Sequence, residues 1–233
     1  MRNKIAVALA CLVLLAVASL TVMAGNKTQF AFSPDGRTVW ATNPSSHVTP
    51  SPLADAKLNI IAGNLSRYPF ATYFSIWGNT VAQGGANFPF QTWVAVPFTP
   101  ANDATLSKLA VSAGRQGSGS SGFELSLYSD AGGVPGTAIK TVHVSKLPIY
   151  GQCCDLAVAN VSGTPVTGGT QYWVVVSTTQ NDPDIYAWAF NSTDMRAQPA
   201  ASWCFGSQTY CGNNSGKWVP YQYVQLGFAV VAE

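Results

Sequence analysis

Charged side chains are scarce in this sequence, and their scarcity excludes one class of partner. Only 9% of the 233 residues are charged, with 12 Lys and Arg against 10 Asp and Glu. The basic residues form no cluster along the chain, whereas a protein that binds nucleic acid needs a basic surface that neutralises phosphates. We therefore expect no nucleic-acid partner.

Residues that commonly carry out catalysis are also few. The chain has two histidines, His47 and His143, and a single internal glutamate, Glu124. It contains no Gly-x-Ser-x-Gly elbow, which would present a nucleophilic serine at the end of a strand. It also offers no evident pair of facing acids, which glycoside hydrolysis requires. We expect His143 to be a surface residue and the protein not to be an enzyme.

Metal-ligand patterns are weak as well. No Cys-x-x-Cys pair with a nearby histidine occurs, which argues against a zinc site. Asp130 in the loop "LYSDAGGVPG", and Asp182 with Asp184 in "QNDPDIY", come closest to a calcium pattern. One carboxylate supplies too few oxygens for calcium, and an Asp in a glycine-rich turn more often accepts backbone N–H bonds. We predict that "LYSDAGGVPG" is a strand connection and that "QNDPDIY" is a solvated turn, and we expect no metal and no cofactor.

The chain begins with a segment of the secretory type. A basic start at Arg2 and Lys4 precedes a long apolar run, which ends at the small-residue exit Val22–Ala24. The pattern predicts a signal peptide over residues 1–24 that is cleaved on export; the alternative is an uncleaved membrane anchor. Cleavage leaves equal numbers of basic and acidic side chains. We expect a secreted, extracellular protein, with the periplasm as the other location, and no membrane contact after cleavage.

Residues 25–57 are rich in proline and in turn-forming residues. Four prolines and the polar run "TNPSSHVTPSP" predict an extended, loosely packed N-terminal arm. Inside it, "FSPDGRTVW" resembles one turn of a β-propeller repeat, but a propeller needs several copies at a regular period. Because the sequence has one copy, it predicts a single hairpin.

Helical periodicity is missing from residues 58–233. Short apolar runs rich in β-branched and aromatic residues recur there between turn-forming residues: "LNIIA", "YFSIW", "TWVAVPF", "LSKLAVSA", "FELSLYS", "AIKTVHVS", "DLAVANV", "QYWVVVS", "IYAWAF" and "QLGFAVV". Phe123, Leu125 and Leu127 alternate with more polar residues, which predicts a half-buried strand. Residues 172–176 are apolar on both faces, which predicts a central strand. About ten such strands predict an all-β domain, a jelly-roll-like antiparallel β-sandwich.

Five segments resemble, in order, parts of the choice-of-anchor R type domain of secreted bacterial proteins and its uncharacterised relatives: "VAVPFTPANDATLSKLAVSAG", "FELSLYSDAGGVPGTAI", "LPIYGQCC", "GTPVTGGTQYWVVVST" and "YAWAFNST". The resemblance covers roughly residues 58–231. It implies a jelly-roll-like sandwich outside the cell, and it implies no reaction. The sequence departs from the named type because no hydrophobic anchor or sorting tail follows "LGFAVVAE", which favours release over surface attachment.

Aromatic residues are the one excess, with 7 Trp, 9 Tyr and 11 Phe. Sandwich domains that bind sugars stack aromatic rings on the C–H faces of pyranoses and use Asn or Asp for the hydroxyls. In "YAWAFNST", Tyr186, Trp188 and Phe190 share one face of a predicted strand that ends at Asn191. We therefore name Tyr186, Trp188 and Asn191 as candidate ligand-binding residues. The alternative, which the pattern favours, is that these rings belong to the core.

Four cysteines follow the predicted signal peptide: Cys153, Cys154, Cys204 and Cys211. An even number in an exported chain predicts structural disulfides. Neighbouring residues of an extended chain point to opposite faces, so Cys153 and Cys154 can hardly bond each other. Cross-links over about 50 residues would restrict the unfolded chain more than a short bridge. We predict that the early pair bonds to the late pair; the alternative is a Cys153–Cys154 bridge with a Cys204–Cys211 bridge.

Export, near-neutral charge and surplus aromatic residues together suggest a function. The sequence favours a secreted, non-catalytic β-sandwich protein that binds glycan or another extracellular polymer. The alternative is a structural or adhesive matrix protein without a small ligand, and a hydrolase or lyase is the least favoured class. An exposed tryptophan beside an Asn or Asp side chain would support the first of these hypotheses.

Overall fold

A computed structural model of the chain describes residues 30–32, 38–41, 58–65, 77–84, 88–116, 121–150, 156–179, 182–191, 196–206, 211 and 214–233. The elements formed by these residues are β-strands: β1 Phe30–Phe32, β2 Thr38–Ala41, β3 Asn59–Gly63, β4 Trp77–Ala82, β5 Gln91–Phe98, β6 Ala104–Val111, β7 Ala113–Gln116, β8 Phe123–Asp130, β9 Pro135–Val144, β10 Ala157–Val166, β11 Tyr172–Ser177, β12 Ile185–Ala189, β13 Ala197–Phe205, β14 Lys217–Val224 and β15 Phe228–Ala232. Across these ranges, a helix with the length and apolarity needed to span a membrane does not occur.

The strands pair into two antiparallel sheets. The small sheet has four strands in the order β10-β6-β15-β3. The large sheet has 11 strands and follows the order β1-β2-β4-β5-β11-β8-β9; β12 lies between β4 and β7, and β13 lies between β5 and β14. The predicted all-β antiparallel sandwich is confirmed.

The core lies between the two sheets and is built from alternating side chains. Phe123, Leu125 and Leu127 on β8 are fully buried, as the alternation predicted. They pack in one cluster with β6 and β15 of the small sheet, through residues such as Leu109 and Val230. Each such side chain stabilises the fold by about 1.5–3 kcal/mol when it leaves water. Apolar burial between the sheets therefore holds the sandwich together.

The strand β11 occupies the centre of the large sheet. It pairs with β5 on one side and with β8 on the other, and all six of its residues are buried. This confirms the prediction that the apolar run at residues 172–176 is covered on both faces.

A bulge in β6 lets two nearby leucines face the same core. Leu106 and Lys108 oppose consecutive partner residues on β15, so Ser107 is the extra residue. The Ser107 hydroxyl lies 3.3 Å and 3.2 Å from the carbonyl oxygens of Val231 and Ala232. Strict alternation would place Leu106 and Leu109 on opposite faces, yet both are fully buried in the core between the sheets.

Strands β13 and β14 were not predicted from the sequence. Each contains a proline, and proline inside a run argues against a central strand. Pro199 lies outside the part of β13 that pairs with β5, which is Ala201–Phe205. Pro220 lies on β14, whose partner among the described strands is β13. Both prolines therefore occupy positions where one edge of the ladder has no described partner.

Part of the predicted N-terminal arm joins the large sheet. The strands β1 and β2 form an antiparallel hairpin in which Phe30 opposes Ala41, as "FSPDGRTVW" predicted. The strand β2 then pairs with β4. The predicted signal peptide, residues 1–24, and Cys153 and Cys154 lie outside the described residues.

Candidate functional site

The three predicted ligand-binding residues are buried in the core. Tyr186, Trp188 and Asn191 each have 0% relative exposure. The Trp188 Nε1–H donates to the Gly227 carbonyl at 2.8 Å, and the Tyr186 ring meets Phe123 edge to face at 5.5 Å. A sugar cannot stack on rings whose faces are already covered by other side chains of the core. The ligand-binding assignment is therefore corrected, and the alternative of core rings holds.

The strand environment explains this burial. The strand β12 lies between β4 and β7, and its aromatic face points at the core between the sheets. Asn191 follows the strand and donates its backbone N–H to the Gln225 carbonyl at 2.8 Å. Alternation correctly placed Tyr186 and Trp188 on one face, but that face is the inner one.

A different set of aromatic residues lies on the outer face of the large sheet. We call Trp218, Trp93, Trp203 and Phe205 the aromatic chain. Trp93 on β5 opposes Trp203 on β13, and Trp203 opposes Trp218 on β14. Side chains directly opposite each other on neighbouring strands lie close enough to pack. Three tryptophans that are far apart in sequence thus form one row across three strands.

Each ring of the aromatic chain lies next to the following one in space. Trp218 and Trp93 have centroids 6.4 Å apart. Trp93 and Trp203 stack at 4.2 Å with an interplanar angle of 18°, and Trp203 and Phe205 lie 6.3 Å apart at 20°. The three tryptophans are half-buried, whereas Phe205 is 62% exposed. The aromatic chain therefore ends at Phe205, whose ring is largely exposed to solvent.

A disulfide bond anchors the strand end that carries Phe205. Cys204 and Cys211 form it with an S–S distance of 2.05 Å and a Cα–Cα distance of 5.5 Å. Both cysteines are buried and pack with Phe88 and Phe90. The Cys204 carbonyl also accepts the Gly216 N–H at 2.6 Å. Phe205 is therefore exposed at a strand end that the disulfide and this hydrogen bond hold in place.

This bond corrects the predicted disulfide pairing. The expected link between the late and early cysteines does not form at Cys204 or Cys211, and the Cys204–Cys211 half of the alternative is confirmed. The two residues are separated by only 7 positions, so the short loop brings their Cα atoms within the range of a bridge. Closing a longer loop would restrict the unfolded chain more, but native geometry decides which sulfurs meet.

Amide and hydroxyl groups lie beside the aromatic chain. The Trp93 Nε1–H donates to Thr178 Oγ1 at 3.1 Å, and the Thr178 hydroxyl donates to Gln83 Oε1 at 3.1 Å. The Gln91 side-chain amide donates to the same Gln83 oxygen. Gln91 also opposes Phe205 across β5 and β13. The exposed ring therefore has an uncharged polar side chain as its direct neighbour.

Asp130 organises the loop between β8 and β9. Its carboxylate accepts the backbone N–H groups of Gly132 at 3.0 Å and Gly133 at 3.1 Å. Both glycines have positive φ, 74° and 89°, which explains why glycine is used. Gln171 Nε2 and Trp173 Nε1 also donate to Asp130, each at 2.7 Å. "LYSDAGGVPG" is therefore the strand connection that the sequence predicted.

The pKa of the Asp130 carboxyl lies below its ordinary value. Partial burial alone would raise this pKa, but the hydrogen bonds from Trp173, Gly133, Gln171 and Gly132 together lower it. The charged form is therefore favoured at neutral pH, where it ties the loop to β11.

The loop at Asp182 is not the solvated turn that the sequence predicted. Asp182 is 4% exposed. It accepts the Tyr186 hydroxyl at 2.7 Å and the Asp184 backbone N–H at 2.9 Å. Burial of the Tyr186 hydroxyl and its hydrogen bond to Asp182 raise the tyrosine pKa. Asp182 thus fastens the start of β12 to the core.

Six of the ten acidic residues lie in the described part of the chain, and each holds a neighbouring group. Besides Asp130 and Asp182, four acids contact a backbone N–H or a histidine: Asp103 with Gly168, Asp184 with Ser121, Glu233 with Gly163, and Glu124 with His143. The His143 side chain is 47% exposed, which confirms its predicted surface position. Within the described ranges, three or more His, Cys, Asp or Glu side chains do not gather into a metal-binding group.

The aromatic chain was missed because its signal is spread over the sequence. The alternation of Trp203 with Phe205 in "WCF" indicates one aromatic strand face, but the strand itself was not predicted. Trp93 and Trp218 join that face only through the register of β5 and β14. Pairing between distant strands cannot be read from local patterns.

Comparison with protein-family models, with curated proteins and with solved structures returns no match. The resemblance to the choice-of-anchor R type domain therefore stays a prediction.

Proposed function

We propose that this chain is an exported binding protein whose aromatic chain, Trp218, Trp93, Trp203 and Phe205, binds a polysaccharide outside the cell. The observation that carries the proposal is the continuous contact of four rings on one sheet face, ending at Phe205 with 62% exposure. Contiguous apolar patches on a protein surface commonly mark interaction sites. Here the disulfide at Cys204 holds the exposed ring in place.

The chemistry of aromatic rings favours a sugar as the occupant. The face of an aromatic ring carries negative charge density, and it attracts the weakly positive C–H groups on the apolar face of a sugar. Hydroxyls at the edge of the same sugar need polar partners, and Gln91 lies directly opposite Phe205. An apolar surface beside uncharged polar groups suits a ligand that has both kinds of surface.

The structural roles of the described acidic residues also agree with a binding protein. The six described acids hold loops and neighbouring side chains, so each has a structural task. The Cys204–Cys211 bond is compatible with a non-reducing compartment, which supports export. Secretion by a bacterial signal peptide over residues 1–24 is part of the proposal.

The proposal is tested by retention of the purified protein on insoluble and gel-embedded polysaccharides. We expect Phe205→Ala and Trp203→Ala to lose retention while circular dichroism shows that the β-sheet is intact. The matched control is Ile139→Ala, because Ile139 is 43% exposed on β9, away from the aromatic chain. Equal retention of the three variants, or no retention of the unmodified protein, would contradict the proposal and favour the structural or adhesive alternative.

A further inference from the structure

Uncharged polar side chains lie beside the exposed end of the aromatic chain, and what we infer from them rests on the proposed function. Gln91 opposes Phe205, and its Nε2 donates one hydrogen to Gln83 Oε1. A primary amide has two donor hydrogens and a carbonyl acceptor. The second N–H and the carbonyl oxygen of Gln91, and the Nε2 of Gln83, have no partner among the described residues.

Thr178 and Trp93 restrain this pair of amides. Thr178 is 6% exposed and bridges the Trp93 Nε1–H to Gln83 Oε1. Because Gln83 Oε1 accepts from both Thr178 and Gln91, its orientation is defined from two sides. The remaining amide groups are thereby held next to the exposed end of the aromatic chain.

Charge is missing from the same face of β5, β13 and β14. Side chains of a strand alternate between faces, so the residues that share the face of the aromatic chain follow from the pairing. On the paired segments the residues of this face besides the aromatic chain are uncharged, among them Gln91, Ala95, Ala197, Pro199, Ala201, Pro220 and Gln222. Lys217 neighbours Trp218 on β14 and therefore points to the other face.

Two described acids lie on this face of β8: Asp130, which accepts the Trp173 Nε1–H at 2.7 Å, and Glu124. Glu124 on β8 lies two strands from β5, about 10 Å away at the usual strand spacing. It contacts His143 on β9 at 3.1 Å. None of these groups offers the Lys or Arg side chain that recognition of carboxylate or sulfate requires.

We infer that the ligand of the aromatic chain is an uncharged polysaccharide, and that Gln91 and Gln83 bind its hydroxyls and determine specificity. A hydroxyl both donates and accepts, and the amide group is the side chain that matches both roles. An acidic polysaccharide would have to bring its charges onto an apolar surface without a basic partner, which is unfavourable.

Affinity electrophoresis tests this inference, with neutral hydroxyethyl cellulose and soluble starch as two probes and alginate, which carries carboxylates, as the third. We expect retardation by a neutral polymer and none by alginate. Gln91→Leu, which keeps the bulk but removes the amide, should weaken the retained interaction about three- to tenfold. Ile139→Ala serves as the control variant and should match the unmodified protein.

Salt dependence gives an independent measurement. Binding of an uncharged polymer should be nearly unchanged between about 0.01 M and about 1 M salt, because no charged pair is screened. Salt-sensitive retardation by alginate that Phe205→Ala abolishes would overturn this inference and leave the proposed function standing. Retention of full affinity by Gln91→Leu would also overturn it. Retardation by none of the three polymers would overturn the proposed function itself.

Discussion

Two groups of aromatic residues on the large sheet have similar sequence patterns and opposite surroundings. Tyr186 and Trp188 on β12 are fully buried, whereas Trp203 and Phe205 on β13 face outward, with Phe205 62% exposed. Both pairs are spaced by two residues, so both define a strand face. Alternation therefore identifies which side chains share a face, while the neighbouring strands and the second sheet decide whether that face meets solvent.

The largest expected effect comes from the buried group. Trp188→Ala should destabilise the protein by about 3–5 kcal/mol, because it opens a cavity in the core and removes the donor to the Gly227 carbonyl. Chemical denaturation followed by far-ultraviolet circular dichroism measures this. A free energy of unfolding within 1 kcal/mol of the unmodified protein, roughly the effect of an average substitution, would mean that Trp188 is not a core residue.

Loss of the disulfide should have the next largest effect. Replacing both Cys204 and Cys211 by serine releases a short loop, and the chain-entropy relation gives about 2–3 kcal/mol of lost stability. It should also weaken polysaccharide retention, because Phe205 loses its anchor. Mass spectrometry of non-reduced peptides checks the bond directly. A peptide that joins either cysteine to Cys153 or Cys154 would contradict the pairing described here.

An intermediate effect on stability is expected at Asp130, which is the hydrogen-bond partner of the buried Trp173. Trp173 is 2% exposed, and its Nε1–H donates to Asp130. Asp130→Ala leaves this donor without its partner and should reduce stability by about 1–3 kcal/mol. Thermal unfolding at neutral pH measures the effect, with Asp103→Ala as the comparison because Asp103 accepts one backbone N–H on an exposed loop. An equal effect of the two substitutions would argue against a special role for the Trp173 contact.

The same residue predicts a pH dependence. The pKa of Asp130 is lower in the folded protein than in the unfolded chain, so its contribution is fully present above the unfolded pKa, near 3.8. It is lost as the pH falls below that value and through the folded pKa. The stability difference between the unmodified protein and Asp130→Ala should therefore shrink in acid. A difference that stays constant down to the lowest pH at which the protein is folded would exclude the charged form as the stabilising species.

The smallest effect on stability is expected at the exposed end of the aromatic chain. Phe205→Ala should change the free energy of unfolding by no more than about 0.5 kcal/mol, since most of its ring is already in water. Retention on polysaccharide should nevertheless fall. A destabilisation as large as that of Trp188→Ala would show that the two aromatic groups do not differ in the way their exposure indicates.

Local patterns predicted much of the fold. The alternation at Phe123, Leu125 and Leu127 correctly predicted that these side chains are buried, and the apolar run of β11 correctly predicted a strand covered on both faces. The Asp130 turn followed from its glycines and from the tendency of Asp to accept backbone N–H groups. The strands β13 and β14 were not predicted; each contains a proline, which is compatible with a strand where one edge of the ladder is open.

The candidate site was much less predictable. The sequence indicated a surplus of aromatic rings and an aromatic strand face at Tyr186 and Trp188, but the face it selected is the inner one. Cys204 and Cys211 were correctly expected to form disulfides, and their partner choice was wrong. The first error concerns which face of β12 the second sheet covers, and a local pattern carries no information on that. The second arose because the loop-entropy argument favoured distant partners, whereas Cys204 bonds a cysteine only 7 positions away.

Sparse charge, short apolar runs and glycine-rich turns are enough to indicate an all-β sandwich, because each strand must bury one face. Which aromatic residues remain accessible depends instead on how distant strands pair. Trp93, Trp203 and Trp218 come together through the register of β5, β13 and β14. That register is set by burial across the whole sheet, since a shift of one residue would turn every side chain of a strand to the opposite face.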